Sequence, residues 1–324
     1  MKEAATIDND VMSGYEAVRE GGVGSIDLSA RGRISVSGSE AVMFLNGLIT
    51  NDLKTLGENR WMPAAFPNVQ GRLLAAVRVI RRANDFLLNT EAVTREKVLK
   101  IIERFTLAGD FKVADVTEES RQISLQGRGA SQLVEKTFGV KDLPRDGVWQ
   151  NENVTIIRAT HTGEDGFDVI GKDVLDAFVA TPVSERVEEI LRIEAGIARY
   201  GRDMDESNVV TETNLDDAVS YTKGCYLGQE IIVRIKHRGH VAKKLTGLRF
   251  ETNEEIEPGS AIKSTDDKEI GRVTSAVFSP KLQTTIGLGY VRYEHLASGT
   301  PLVVNGLPAT THELPFIRGS WYED

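Results

Sequence analysis

The chain has 324 residues, of which 40% are hydrophobic and 27% charged, and its formal net charge is −9. This length exceeds what one hydrophobic core usually spans, so two or three domains are expected. No apolar run is long enough to cross a membrane and the N-terminus lacks the apolar core of a signal peptide, which predicts a cytoplasmic protein without a membrane partner. The acidic balance disfavours direct nucleic-acid binding, whose affinity comes from neutralised phosphates.

The first part of the chain carries turn, strand and helix patterns in succession. The glycine-rich stretch 21–24 predicts a turn, and residues 32–37 alternate in polarity as a half-buried strand does. Ser37 and Glu40 have the S-x-x-E spacing of a capping box, and apolar residues recur from Ala41 at i, i+3, i+4 and i+7. We therefore expect an amphipathic helix that begins at Ala41.

Strand and helix patterns then alternate to residue 195. Strands are predicted over 72–80, 86–88, 122–125, 154–159 and 167–170, and helices over 94–105, 130–138, 173–179 and 184–195. This mixture indicates an α+β chain.

From Lys244 onward the helical patterns disappear. Short strands alternate there with Pro-Gly, Asp-Asp and Ser-Gly turns, as in a small β-barrel or sandwich. These strands are predicted over 245–250, 261–263, 269–277, 286–291 and 301–304.

The single cysteine, Cys225, lies in a K-G-C-Y-L-G-Q-E segment that begins at Lys223. A lone thiol has no partner for an internal disulfide. Lys223 adds a positive charge and a helical pattern starts after Gly228, and both features favour the thiolate and hence a lowered thiol pKa. The residues therefore predict either a reactive thiol or a small buried hydrophobic side chain.

This segment resembles the K-G-C-Y-x-G-Q-E signature of the YgfZ family at every position, and nearly the whole chain is similar to aminomethyltransferase, the T protein of the glycine cleavage system. The stretches that carry the wider similarity are 44–53, 125–127, 162–168, 192–196 and 200–206. The resemblance implies a folate-binding protein that supports iron-sulfur cluster assembly or repair.

The resemblance also implies a three-domain, aminomethyltransferase-like architecture of the α+β class with a C-terminal β-barrel. Residues 1–32 and 117–240 would form a discontinuous domain that carries the folate-type turn and the Cys225 segment. Residues 33–116 would form an inserted α+β domain, and 241–324 the barrel.

The turn at 162–168 resembles the folate-contacting segment of the aminomethyltransferases. There a carboxylate accepts paired hydrogen bonds from the pterin ring, and Asp168 stands where the transferase has glutamate. Tetrahydrofolate, or a one-carbon derivative of it, is therefore the implied cofactor. The implied contacts are Asp168, Glu164, Gly166, Phe167, Asn89, Arg192, Tyr200 and Gln229.

Two features disfavour glycine cleavage chemistry. Ala75 and Ala76 stand at the acidic positions of the transferase, and a methyl group can neither move a proton nor stabilise a cation. Glu188 replaces the arginine that the transferase has one helical turn before its R-x-E-A motif.

Cations concentrate between Arg234 and Lys244, which predicts either a solvated face or a site for a glutamate tail, a phosphate or an acidic partner. Cys225, His237 and His240 match no zinc spacing, so no stable metal site is predicted. A transient contact of the thiolate with an iron-sulfur cluster stays open.

Three functions compete. The first is a folate-binding accessory factor in which Cys225, assisted by Lys223, does redox or cluster-handling work on iron-sulfur client or assembly proteins. The second is a folate-dependent aminomethyltransferase, and the third is a tRNA-modification factor.

Overall fold

The computed structural model of the protein describes residues 9–104, 106 and 109–323. The α-helices are α1 (Asn9–Arg19), α2 (Ala41–Leu48), α3 (Arg95–Glu103), α4 (Ala130–Phe138), α5 (Glu185–Glu194) and α6 (Gln229–Arg238). The strands before α5 are β1 (Gly24–Asp27), β2 (Gly32–Ser37), β3 (Trp61–Pro67), β4 (Leu73–Arg81), β5 (Phe86–Thr90), β6 (Lys112–Asp115), β7 (Arg121–Gln126), β8 (Val148–Gln150), β9 (Val154–Arg158), β10 (Gly166–Gly171) and β11 (Thr181–Pro182). Those after α6 are β12 (Lys243–Phe250), β13 (Ala261–Lys263), β14 (Glu269–Ser279), β15 (Thr284–Arg292), β16 (Pro301–Val304) and β17 (Leu307–His312).

Two sheets form the part of the chain that precedes the barrel. The first sheet has the order β11-β1-β7-β10-β9-β8, and the second has the order β3-β4-β5-β2-β6. The first sheet takes strands from both sides of the second sheet along the chain, which is the arrangement of a discontinuous unit. The predicted domain bounds themselves stay a prediction.

Each sheet buries one face against helices and shares the other with its neighbour. Leu45 of α2 and Val98 of α3 lie in the core of the second sheet, and Val134 of α4 lies in the core of the first. Between the sheets, Ile80 and Leu87 of the second pack in one apolar cluster with residues of the first. The two sheets therefore face each other, and an apolar cluster that includes Ile80 and Leu87 fills part of the layer between them.

The C-terminal strands close into a barrel in the order β12-β15-β14-β13-β16-β17. Alternate residues point inward and fill it, among them Leu248, Ile262 and Val291. The predicted α+β fold with a C-terminal barrel is confirmed. No α-helix in the part of the chain that the structure describes is long and apolar enough to span a membrane.

Several local predictions are confirmed, two are wrong, and one helix was missed. The helices expected at 41–48, 130–138 and 184–195 are present, and the one expected at 94–105 ends at Glu103, with Phe105 outside the described residues. The segment 173–179 forms turns instead of a helix, because a piece this short has too few internal hydrogen bonds to be stable.

The capping box before α2 is also wrong. Glu40 makes no cap hydrogen bond, and its carboxylate accepts the backbone N–H of Asp110 instead, at 2.8 Å. Helix α1 was missed although Val11, Tyr15 and Val18 follow a helical period and are buried against α5.

Helix α5 ties the barrel to the rest of the chain through two buried charges. The Arg192 guanidinium donates to Asp203 at 2.7 Å and to the Ser275 hydroxyl of β14 at 2.9 Å. The Glu194 carboxylate accepts from the Ser279 hydroxyl of β14 at 2.6 Å and from Arg19 of α1 at 2.9 Å. Because ion pairs hidden from water are costly to break, these contacts fix the barrel against α1 and α5.

Replacing Glu194 by alanine should lower the free energy of unfolding by about 3 to 5 kcal/mol, because the buried Arg19 guanidinium loses a carboxylate. Urea unfolding followed by circular dichroism measures this loss. Glu185→Ala is the matched control on the same helix and should cost no more than about 1 kcal/mol, since the pair that Glu185 forms with Arg202 is exposed. Equal losses in the two variants would contradict this account of α5.

Candidate functional site

A buried carboxylate lies where the two sheets face each other. Asp168 is the third residue of β10, and its register opposite Ile157 directs it toward the second sheet, on the face that also buries Ile170. Its carboxylate accepts from Arg78 of β4 at 2.8 Å and from the Gln122 amide of β7 at 3.1 Å. Asp168 thus joins strands of both sheets.

His161 supplies a further partner for this carboxylate. Its Nε2 lies 3.0 Å from Asp168 Oδ1 and 3.1 Å from the Arg78 guanidinium. The Asp168 side chain is fully buried, whereas those of Arg78 and His161 keep 18% and 12% of their surface. An incoming donor would therefore have to displace one of these two partners before it could bond to Asp168.

The charge state of Asp168 follows from these contacts. Burial alone would raise the pKa of this carboxyl, but the charge and hydrogen bond of His161 and the charge of Arg78 outweigh it and hold the pKa well below its ordinary value. Asp168 is consequently an anion at neutral pH, able to accept hydrogen bonds and unable to donate one.

The polar network continues from Asp168 to the edge of the sheets. Asn89 of β5 donates to the Gln122 side chain at 2.8 Å and accepts from Arg31 at 2.9 Å, and Arg31 pairs with Glu91. The predicted site residues Asp168 and Asn89 therefore belong to one network, joined through Gln122.

A small cleft opens beside this network. Its volume is about 180 Å³, and its lining includes Arg31, Glu91, His161, Glu188 and Arg199. Sites for drug-sized ligands usually measure about 300 to 1,000 Å³. The cleft therefore has room for part of such a ligand, and the Arg31–Glu91 and Arg199–Glu188 pairs close two of its sides.

Alanines 75 and 76 occupy different surroundings on β4. Ala75 is fully buried in the apolar core beneath α2 and α3. Ala76 packs on the opposite face, against a cluster that contains Tyr200 and Tyr226. A carboxylate at position 75 would lie in a dry core, whereas one at position 76 would face the Cys225 segment.

Lys223 braces this segment against the end of α2. Its ammonium donates to the backbone carbonyls of Asn46, Ile49 and Asn51 at 2.8, 2.9 and 2.6 Å. These carbonyls lie at or beyond the end of α2, where such groups need a partner. Burial lowers the pKa of Lys223 to about 8. The three donors of the ammonium are therefore occupied by the α2 turn.

Tyr226, Gly228 and Gln229 of the same segment are also held by packing or hydrogen bonds, whereas Cys225 is not. Tyr226 is buried, and Lys223 lies 5.0 Å from the centre of its ring. Gly228 has a φ of 77°, and a Cβ there would lie 2.2 Å from the carbonyl oxygen of Asn68, so only glycine fits. Gln229 begins α6, and its side chain donates to the Lys223 carbonyl at 3.5 Å. Cys225 is exposed between these anchors.

The remaining predicted contacts of the 162–168 turn are held in the protein interior. Glu164 accepts from Arg19 at 2.8 Å and from the Ser320 backbone N–H at 2.7 Å. Gly166 lies in β10 beside Gln126, and Phe167 is buried in the core of the first sheet. These three residues therefore fix the turn and the start of the strand that carry Asp168, and the side chains of Glu164 and Phe167 are not free to bind a ligand.

Arg192 and Tyr200 are likewise engaged in the fold. Arg192 lines the small cleft, but its guanidinium donates to Glu189, Asp203, Ser275 and the Ile197 carbonyl. The Tyr200 hydroxyl donates to the Leu73 carbonyl at 3.3 Å.

Sequence reasoning missed Arg78, Gln122 and His161, which complete the surroundings of Asp168. The alternation of β4 and β7 shows that Arg78 and Gln122 lie on strands, but only the register between strands brings them together. In the described part of the chain, no group of three or more His, Cys, Asp and Glu residues is placed to hold a metal.

Two family descriptions match this chain. The GCVT N-terminal domain covers residues 3–223, and the glycine cleavage T-protein C-terminal barrel domain covers residues 243–317. A solved structure of aminomethyltransferase T from Bartonella henselae aligns over 95% of this chain and 90% of its own, with a TM-score of 0.87 and 23% sequence identity. That likeness shows the fold.

Curated relatives give the same result at the level of sequence. The aminomethyltransferase of Rubrobacter xylanophilus is 31% identical, over 94% of this chain and 85% of its own. That of Thermoanaerobacter pseudethanolicus is 27% identical, over 92% of this chain and 86% of its own. The chain therefore belongs to the glycine cleavage T-protein family.

Proposed function

We propose that this protein binds tetrahydrofolate, or a one-carbon derivative, without transferring an aminomethyl group, and that its Cys225 thiol supports iron-sulfur cluster assembly or repair. The observation that carries the proposal is a buried carboxylate at Asp168 in a chain whose positions 75 and 76 carry only methyl groups. Binding can persist where the group needed only in the reaction is gone.

The cleft beside Asp168 has room for the pterin ring of a folate but not for the complete folate molecule. The carboxylate is anionic and can accept two hydrogen bonds from the donor edge of a pterin. His161 lines the cleft and would have to turn aside for this contact. The small volume of the cleft leaves the remainder of the ligand outside it. When bound at this site, tetrahydrofolate would supply a carrier for one-carbon units.

The thiol supports the second half of the proposal. Cys225 is exposed, whereas its neighbours Lys223 and Tyr226 are held by hydrogen bonds and apolar packing. The thiol is therefore accessible on a loop whose backbone is fixed on both sides. In this arrangement Lys223 positions the loop that carries Cys225. Iron-sulfur client or assembly proteins would then be the partners.

Aminomethyl transfer to folate is the second candidate function. The names of the curated relatives favour it, at 27% and 31% identity over most of the chain. It would require that a group other than a carboxylate at positions 75 and 76 assist the transfer. An assay for that transfer separates the two candidates.

Asp168→Asn should weaken tetrahydrofolate binding about 10- to 100-fold, because it removes the charge that accepts the ring's hydrogen bonds while keeping the side chain's shape. Titration calorimetry measures the affinity. Asp165→Asn is the matched control, since Asp165 lies in the same turn and pairs with Arg158 outside the cleft. Unchanged affinity in Asp168→Asn, or steady turnover of an aminomethyl donor by the unaltered protein, would count against the proposal.

Cys225→Ser should abolish support of iron-sulfur enzymes in a strain that lacks the protein, with a change in unfolding free energy within about 0.5 kcal/mol, because the thiol is exposed. Enzyme activities in cell extracts give the first value and urea unfolding the second. Thr222→Ser changes a neighbouring exposed residue and should complement fully. Full complementation by Cys225→Ser would remove the thiol from the function.

A further inference from the structure

Three cations and a tyrosine share one outer face of the barrel. Lys243 of β12 lies directly opposite Arg292 of β15, and Tyr290 of β15 lies directly opposite Arg272 of β14. Tyr290 and Arg292 are two residues apart on the same strand, so all four side chains project from the same side. The inward side is occupied by Val291 and the rest of the barrel core.

This arrangement of charges is unfavourable as it stands. Like charges directly opposite each other on neighbouring strands destabilise a sheet. Within the described residues, no carboxylate pairs at 4.0 Å or less with Lys243, Arg272 or Arg292. Lys243 instead lies 5.0 Å from the centre of the Tyr290 ring. The charge of Glu212 acts on Lys243 from a longer distance, but no carboxylate of the described residues bonds directly to these three cations.

The tyrosine at the centre of this face has an unused hydroxyl. Tyr290 is only 7% exposed, and among the described residues its hydroxyl has no hydrogen-bond partner. A buried polar group without a partner is uncommon and costs free energy. Burial, reinforced by the negative charge of Glu212, raises the pKa of Tyr290 far above its ordinary value, so the hydroxyl keeps its proton.

A cleft of about 690 Å³ lies over this face, between the barrel and the segment 202–208. Its volume is within the range of small-molecule sites. Asp203 and Asp205 also line it, but Asp203 pairs with Arg192 and Asp205 accepts the Ser207 backbone N–H at 2.7 Å. Lys243, Arg272 and Arg292 thus remain as the unpaired charges, with Glu269 as a further acid of the lining.

The geometry points to a binding site for a phosphate group in this cleft, held by Lys243, Arg272, Arg292 and the Tyr290 hydroxyl. A phosphate dianion offers several acceptor oxygens, which matches two guanidinium groups, one ammonium and one hydroxyl donor better than a single carboxylate does. The cleft is larger than a phosphate, so the natural ligand is a small phosphorylated molecule whose remainder fills the space toward segment 202–208.

The test is titration of the full-length protein with inorganic phosphate, followed by calorimetry at constant ionic strength. The unaltered protein should show saturable binding at or below about 10 mM phosphate. Arg272→Gln and Arg292→Gln should each weaken it about tenfold. Arg249→Gln is the matched control, because Arg249 is an exposed arginine of β12 outside the cleft, and it should leave the affinity unchanged.

Tyr290→Phe separates a ligand site from general attraction between charges. It removes only the unpartnered hydroxyl, so the folded protein should be at least as stable in urea, while phosphate binding should weaken about tenfold. Absence of saturable binding to the unaltered protein would overturn the inference. So would equal weakening by Arg249→Gln and Arg272→Gln, or phosphate binding by Tyr290→Phe that matches the unaltered protein.

Titration with acetate instead of phosphate should show at least about tenfold weaker binding, and equal affinity would contradict a phosphate-selective site.

Discussion

Arg192 and Glu194, two residues apart on α5, hold the barrel against α1 and the first sheet. Both side chains are buried, and both reach β14 of the barrel through serine hydroxyls. Glu194 also binds Arg19, which in turn binds Glu164 in the turn before β10. Because an ion pair hidden from water demands well-aimed partners, this chain of contacts fixes where the barrel sits. It also sets the position of the strand that carries Asp168.

The same contacts explain why the R-x-E motif, which this chain shares with the transferases, is not evidence for transferase activity. The R-x-E pattern of Arg192 and Glu194 is fully used by the fold, and Glu164 is used in the same way. Under the proposed function, the residues that separate binding from transfer are Asp168, Ala75 and Ala76. Nothing in the packing demands a carboxylate at the two alanine positions. Under the proposed function, folate binding and aminomethyl transfer are separable in this scaffold.

Periodicity in the sequence predicted the elements whose partners are local. Five of the six barrel strands follow from alternation, and α4 and α5 follow from a helical stripe. In the structure Ser184 also caps α5 by accepting the Val187 backbone N–H. The segment 173–179 was misjudged because a short apolar stripe alone does not make a helix. The surroundings of Asp168 could not be predicted, since Arg78 and Gln122 reach it only through the register of two different sheets.

Within the K-G-C-Y-L-G-Q-E segment, some residues are explained by packing and Cys225 is not. Lys223 holds three carbonyls, Tyr226 fills an apolar cluster, and Gly228 permits a close backbone approach. Each of these residues has a structural reason to be what it is. For Cys225, whose thiol is exposed, the described residues provide no hydrogen bond or apolar core that would require a cysteine. Under the proposed function, the reason for its identity is the partner that the thiol meets outside the chain.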